Sequence, residues 1–269
     1  EYDFLRSIGV DCVSIDRLPT DAVRGDEDAW LAYFRRMQAE ADAHDLVLYS
    51  AFIGSEPCIW MGGDGQSAEI ETWCRIIRAM GRAGIYWCGW NFKYGNQRTA
   101  SAVGRGRSKY STFVMDELDD SNERRLNSGT TDIAVTEDTM WANMQRLLSA
   151  VIPVAESAGV RLALHPEDPP VLEPLGGVAH ITSTLDQYER IFKLTGRASR
   201  ANCMLFCQGC VTEMSVASRG GSVYDAIRRM ALQDKIGWVH FRNVSGTEVC
   251  LRASRTLALR PTGSSSCGE

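Results

Sequence analysis

Long apolar runs are missing from this chain. No stretch approaches the roughly 20 consecutive apolar residues that a membrane-spanning helix needs, so no membrane partner is expected. Basic runs are missing too. Lys and Arg number 29 against 34 Asp and Glu, a net charge of −5, and without a basic stripe no nucleic-acid partner is expected. The N-terminus, Glu1-Tyr2-Asp3-Phe4-Leu5, has neither the basic start nor the apolar core of a signal peptide. It also lacks an initiating Met, which fits a fragment or a processed product. No Gly-x-Gly-x-x-Gly turn follows the first apolar strand, which weighs against a dinucleotide-binding domain. Nor is there a second Cys-x-x-Cys to complete a structural zinc site around Cys207-Gln208-Gly209-Cys210.

What is present fits a globular α/β chain. Hydrophobic residues make up 44% of the 269 and charged residues 23%, enough to bury a sizeable core. The nine cysteines are an odd count scattered through apolar segments. They are expected to be mostly buried, reduced thiols in a cytoplasmic protein. Apolar strand patterns at 9–15, 45–52, 85–92, 160–165, 202–207 and 235–241 alternate with helical patterns at 26–44, 67–83, 136–158, 184–194 and 222–232. Ser67 and Thr136 stand as N-caps, Gly84 as a helix stop, and Pro153 as a kink or break within its helix.

Repeated βα units imply parallel strands with right-handed crossovers. The expected fold is a (β/α)8 barrel of the TIM type, incomplete, with about six strands present. It would be one domain over 1–248, with a long loop or lid at 93–135. The tail, 249–269, rich in Ser, Arg, Gly and Thr, is expected to be disordered or foreign to the fold.

The stretch Val160-Arg161-Leu162-Ala163-Leu164-His165-Pro166-Glu167-Asp168-Pro169-Pro170 carries the first functional signal. Proline cannot feed a sheet ladder, so the strand must stop near His165 and leave its imidazole at a carboxyl end. Period-2 alternation puts Arg161, Ala163 and His165 on one face, Cys203, Leu205 and Cys207 on the same face of the next strand, and Trp238, His240 and Arg242 on that of the third. His165, Cys207 and His240 would then converge on the barrel mouth as an ordinary donor set for a divalent metal. A thioredoxin-like redox dithiol at Cys207 and Cys210 is the rival reading. Glu167 and Asp168 are either acceptors that hold the His165 ring or solvated loop acids. Arg242 is either a fork for a substrate carboxylate or half of an ion pair. Gly104-Arg105-Gly106-Arg107 is either an anion-binding turn or a solvated loop.

His165-Pro166-Glu167-Asp168-Pro169-Pro170, Phe206-Cys207-Gln208-Gly209 and Val239-His240-Phe241-Arg242-Asn243-Val244 together resemble the mannonate dehydratase family, in the xylose-isomerase-like barrel superfamily. Gly104-Arg105-Gly106 followed by Tyr110-Ser111-Thr112-Phe113 resembles that family's lid. The resemblance implies loss of water from D-mannonate to give 2-keto-3-deoxy-D-gluconate. It implies metal ligation by His165, Cys207 and His240, with Mn2+ as the ion and Fe2+, Co2+ or Zn2+ as alternatives. Arg242 and Arg105 would be catalytic, neutralising the substrate carboxylate, and Asn91, Arg105, Asp168 and Arg242 would bind substrate. The implied partner is a small sugar acid, and the reading is compatible with a homo-oligomer. The match fades after Gly246, where the family takes a further carboxylate ligand. A truncated member with little or no activity is therefore expected. The alternatives are a sugar isomerase or epimerase on the same barrel, or an inactive metal-binding remnant.

Overall fold

The computed structural model describes residues 1–20, 26–54, 56–94, 100–103, 109–114, 134–196, 198–217, 222–245 and 256–260. In chain order the elements are α1 (Tyr2–Ser7), β1 (Cys12–Ile15), α2 (Glu27–Asp42), β2 (Val47–Ile53), α3 (Pro57–Met61), α4 (Gln66–Ala83) and β3 (Trp87–Trp90). There follow β4 (Ala100–Val103), β5 (Lys109–Val114), α5 (Glu137–Ala158), β6 (Arg161–Leu164), α6 (Leu185–Leu194) and β7 (Asn202–Cys207). The last are α7 (Gln208–Ala217), α8 (Val223–Ala231), β8 (Ile236–His240), β9 (Asn243–Ser245) and β10 (Thr256–Arg260).

Six strands form one parallel sheet in the order β1-β2-β3-β6-β7-β8. The order never reverses, so there is no switch point of the kind that splits a doubly wound sheet. Each crossover packs on the same side, and the sheet curls into a half-barrel, matching the six parallel strands expected. A second, antiparallel sheet, β4-β5-β10-β9, stands apart from it. Its strands β4 and β5 fall within 93–135, where a long loop or lid is expected; residues 95–99, 104–108 and 115–133 of that segment lie outside the described residues. Within 249–269 the described residues are Thr256–Arg260, which form β10.

Alternation along the parallel strands separates two cores. On the outer face Leu162, Leu164, Met204 and Phe206 join Trp30 and Phe34 of α2, Trp73 and Ile77 of α4, Met144 and Leu148 of α5, and Tyr188 and Phe192 of α6. On the inner face Ala163, Cys203, Leu205, Cys207 and Cys210 pack together with Phe52 and Trp238. Gly89 of β3 is part of this inner packing. A Cβ there would lie 2.5 Å from the Phe52 ring and 2.8 Å from the Trp238 ring, so any side chain would push the aromatics out of the barrel interior.

Helix ends follow their local chemistry. Thr136 accepts from the Thr139 N–H at the start of α5. Thr184 with Gln187, and Ser222 with Asp225, close reciprocal capping boxes on α6 and α8. Two expectations are corrected. α4 begins one residue earlier than predicted, after Gly65 in the left-handed region, and the Ser67 hydroxyl instead accepts from Arg146 at 2.8 Å. Of the kink or break expected at Pro153, the break is ruled out, because α5 runs unbroken from Glu137 to Ala158. An internal proline costs about 3 kcal/mol, and eight buried side chains along α5, from Met140 to Ala155, offset it. The cysteines among the described residues are all free thiols. None of the described helices is long and apolar enough to cross a membrane.

Candidate metal centre

The sheet ladder reaches one residue past β6. The His165 N–H donates to the Trp90 carbonyl at 2.7 Å, so the backbone that carries the imidazole is fixed before Pro166 ends the strand. The ring is fixed as well: Nδ1 lies 2.6 Å from the Pro166 carbonyl. A carbonyl only accepts, so Nδ1 carries the hydrogen and Nε2 presents its lone pair. For Glu167 and Asp168 the sequence leaves two roles open, acceptors for this ring or solvated loop acids. The Pro166 carbonyl takes the acceptor's place, and neither acid is solvated, since Glu167 is buried and the Asp168 side chain is 10% exposed.

Cys207 ends β7 and pairs in register with His240 at the end of β8. α7 opens at the next residue, Gln208, so the thiol sits at a helix N-terminus, where partial positive charge favours a thiolate. The Cys210 thiol, one turn along, donates to Cys207. Its hydrogen bond, with the close contacts of His165 and His240, pulls the Cys207 thiol far below its ordinary range, against the opposing effect of burial. Burial raises Cys210 well above the thiol range, so of the two sulfurs Cys210 keeps its proton and Cys207 carries the charge.

The three expected ligands do converge. Donor atoms of His165, Cys207 and His240 all lie within 4.8 Å of one another. The two imidazole rings stand 5.3 Å apart, and the Trp238 ring meets His240 edge-on at 5.7 Å. Two neutral nitrogens on half-buried imidazoles and one buried thiolate, on rigid strand ends, are a donor set that fits a divalent cation.

A second group, Asp168, Cys210 and Glu213, also brings its donor atoms within 4.8 Å. Here the cation is already a side chain. Arg242 places Nη1 2.7 Å from Asp168 and Nη2 3.1 Å from the Cys210 sulfur and 3.8 Å from Glu213. Gly209 makes room for it, since a Cβ at that position would lie 2.3 Å from Arg242 Nε. Asp168 and Arg242, both expected to bind substrate, are thus joined to each other. The guanidinium ties the end of β8 to α7 and to the loop after β6.

Glu167 points into a third cluster. It is 3% exposed, and burial raises its carboxyl above the ordinary range against the pull of His180, Lys93 and His165. The folded state therefore holds this proton more tightly than the unfolded chain does. The stabilisation is complete below the ordinary carboxyl value and is lost as pH rises through the folded one. Glu167→Gln is expected to remove this dependence. As pH rises from about 4 towards neutrality, the variant should gain stability relative to wild type. Urea midpoints of the metal-free proteins across that range provide the check, and parallel curves would show that Glu167 is not strained in this way.

Of the remaining expected residues, Asn91 lies half-buried one residue beyond β3, out of phase with Trp90 and Phe92, which belong to the outer core. Arg105 and its flanking glycines lie outside the described residues. Sequence reasoning missed Lys93, Glu213 and His180.

The sequence model of the D-mannonate dehydratase (UxuA) family matches residues 34–256. A mannonate dehydratase of Streptococcus agalactiae serotype V is 31% identical over 110 residues, 41% of this chain and 29% of the relative. One from Shouchella clausii is 34% identical over 110 residues, 41% of this chain and 28% of the relative. The alignments therefore span less than a third of these curated relatives. Among solved structures, the mannonate dehydratase from Streptococcus suis serotype 2 superposes with a TM-score of 0.73 at 22% identity, over 91% of this chain and 70% of that one.

Proposed function

Because the chain belongs to the D-mannonate dehydratase family, we propose that it serves the metal-dependent dehydration of D-mannonate to 2-keto-3-deoxy-D-gluconate and water, in the cytoplasmic breakdown of glucuronate. The observation that carries this reading is the convergence of His165, Cys207 and His240, within 4.8 Å, at three adjacent strand ends. These residues would hold the ion. Mn2+ is the family's ion, and the thiolate keeps Fe2+, Co2+ and Zn2+ in consideration. When bound, a divalent ion supplies Lewis-acid polarisation of the sugar acid's oxygens.

The reaction removes the proton at C2 and the hydroxyl at C3, and the resulting enol becomes the 2-keto product. The chain's own residues prepare the place for it. The Pro166 carbonyl fixes the His165 tautomer, so that the imidazole enters as a ligand and not as a proton donor. Trp238 and the inner-face residues Ala163 and Leu205 close the floor beneath the three donors, which keeps bulk water from that side. Asn91, at the end of β3, and Arg105 belong to this reading as substrate contacts. Arg242 enters it as the clamp that holds the α7 start, and with it Cys207, against the end of β8.

The test is direct. Protein stripped with a chelator and reloaded with Mn2+ is assayed for bound metal by mass spectrometry and for 2-keto-3-deoxy acid from D-mannonate. One ion per chain is expected, with any product formed only after reloading. Failure to retain metal would refute the site, and turnover of aldoses without turnover of D-mannonate would move the protein to the isomerases.

A further inference from the structure

The metal reading uses Cys210 only as a hydrogen-bond donor, although it is a second thiol beside a metal ligand. Cys207 immediately precedes α7, and Cys210 lies three residues on, in the first helical turn, the spacing at which neighbouring side chains meet. Both belong to the small inner-face cluster, and the two thiols share a hydrogen bond. Sulfurs already in contact on one turn need little movement to bond covalently. Arg242 holds Cys210 in place, with Nη2 3.1 Å from its sulfur. Cys203, the other cysteine of the cluster, is turned elsewhere, and its thiol donates to the Leu162 carbonyl at 3.5 Å. Access differs within the pair. The Cys207 sulfur lies among the donor atoms of two half-buried imidazoles, so a small molecule arrives by the path an ion would take. Cys210 is wholly buried and is met from within by Cys207.

We propose that Cys207 and Cys210 are an oxidation site, which hydrogen peroxide converts to a disulfide in the metal-free protein, and that the disulfide shuts the metal site. The disulfide stands on the contact of the two thiols; the shutting rests on the metal reading above. The Cys207 thiolate attacks one peroxide oxygen, the O–O bond breaks, and water leaves with a proton from solvent, so the sulfur becomes a sulfenic acid. The Cys210 sulfur then attacks the Cys207 sulfur. The S–S bond forms, the S–O bond breaks, and the hydroxyl leaves as water with the Cys210 proton. Two thiols and one hydrogen peroxide thus give one disulfide and two waters. The guanidinium beside Cys210 favours the thiolate that makes this second attack. A disulfide sulfur offers no charge to a cation, which leaves two neutral imidazoles. With an ion bound, the Cys207 lone pair is engaged, so occupancy protects the pair.

Chelator-stripped protein is treated with hydrogen peroxide in the presence of dimedone, then denatured and alkylated, and the peptide that carries both residues is read by mass spectrometry. Wild type is expected to lose two hydrogens between Cys207 and Cys210 and to take neither an alkyl group nor dimedone there. Before denaturation it should also have lost stoichiometric Mn2+ binding, which dithiothreitol restores by thiol–disulfide exchange. Cys210→Ser lacks the second thiol, so Cys207 should stop at the sulfenic acid and capture dimedone, with circular dichroism as the fold control. Mn2+-loaded wild type should keep both thiols under the same treatment. Alkylation of both residues in the treated stripped wild type overturns the assignment, as does loss of two hydrogens that persists in Cys210→Ser. If the reduced, stripped protein never takes up Mn2+, the metal reading and the shutting fall together, and the mass loss alone decides the oxidation site.

Discussion

Cys207→Ala is expected to abolish stoichiometric metal binding while leaving the fold in place. Loss of an outer partner of a metal ligand lowers affinity by about 10- to 100-fold, and loss of the ligand itself must exceed that. The thiolate supplies the only negative charge among the three converging donors. Without it two neutral imidazoles remain, and they hold a divalent ion weakly at the concentrations a cell offers. The structural cost is small by comparison, about 1 kcal/mol for a group of this size in a packed site, because Ala163, Leu205 and Trp238 still fill the inner face. Cys210→Ser makes the useful companion. Its hydroxyl can still donate to Cys207, so metal should be retained with affinity reduced by far less. Competition against a chelating dye, with circular dichroism as the fold control, reads both variants. Wild-type stoichiometry in Cys207→Ala would remove the thiolate from the site.

The site was legible in the sequence where it depended on strand period and strand order. His165, Cys207 and His240 each end an apolar run that alternates correctly, and successive βα units place such ends side by side. The run Thr184 to Leu194 was equally readable, because Thr184 and Gln187 form their capping box locally. What depended on chains folding back across the barrel mouth was not readable. Nothing in the spacing of Asp168, Cys210, Glu213 and Arg242 says that one guanidinium would sit among the other three. Half of an ion pair is one of the two readings the sequence allows Arg242, but nothing in the spacing names Asp168 as its partner. Lys93 was hidden for another reason. It follows the apolar run of β3 and belongs to the connection, since the strand itself ends at Trp90, so no strand period marks its place. The helix opening at Gln208 was missed because glycine and two polar residues in Gln208-Gly209-Cys210-Val211-Thr212 obscure the periodicity. Its position directly after Cys207 strengthens the case for a thiolate there.

The other large effect is expected at Arg242, and it falls on stability. Arg242→Met keeps most of the stem's volume and removes the guanidinium from a group that includes the Asp168 and Glu213 side chains, which are 10% and 2% exposed. Removing one partner of a buried ion pair typically costs about 3–5 kcal/mol, because the remaining charges are left in low dielectric. Here two acids and the Cys210 sulfur lose their common donor, and the Cys207 thiolate lies close enough to add repulsion. The unfolding midpoint should therefore drop by roughly 10 °C in a chain of this size. The acids are the cause, so neutralising them should restore what the substitution removed. Asp168→Asn and Glu213→Gln are each expected to destabilise the wild type but to be nearly neutral or stabilising in the Arg242→Met background, with coupling energies of about 1–3 kcal/mol. If Arg242→Met melts like wild type, or if the acid substitutions are equally harmful in both backgrounds, the guanidinium is not the clamp. With coupling of the expected sign, the charge on Arg242 is consumed within the protein and is not available to a substrate carboxylate.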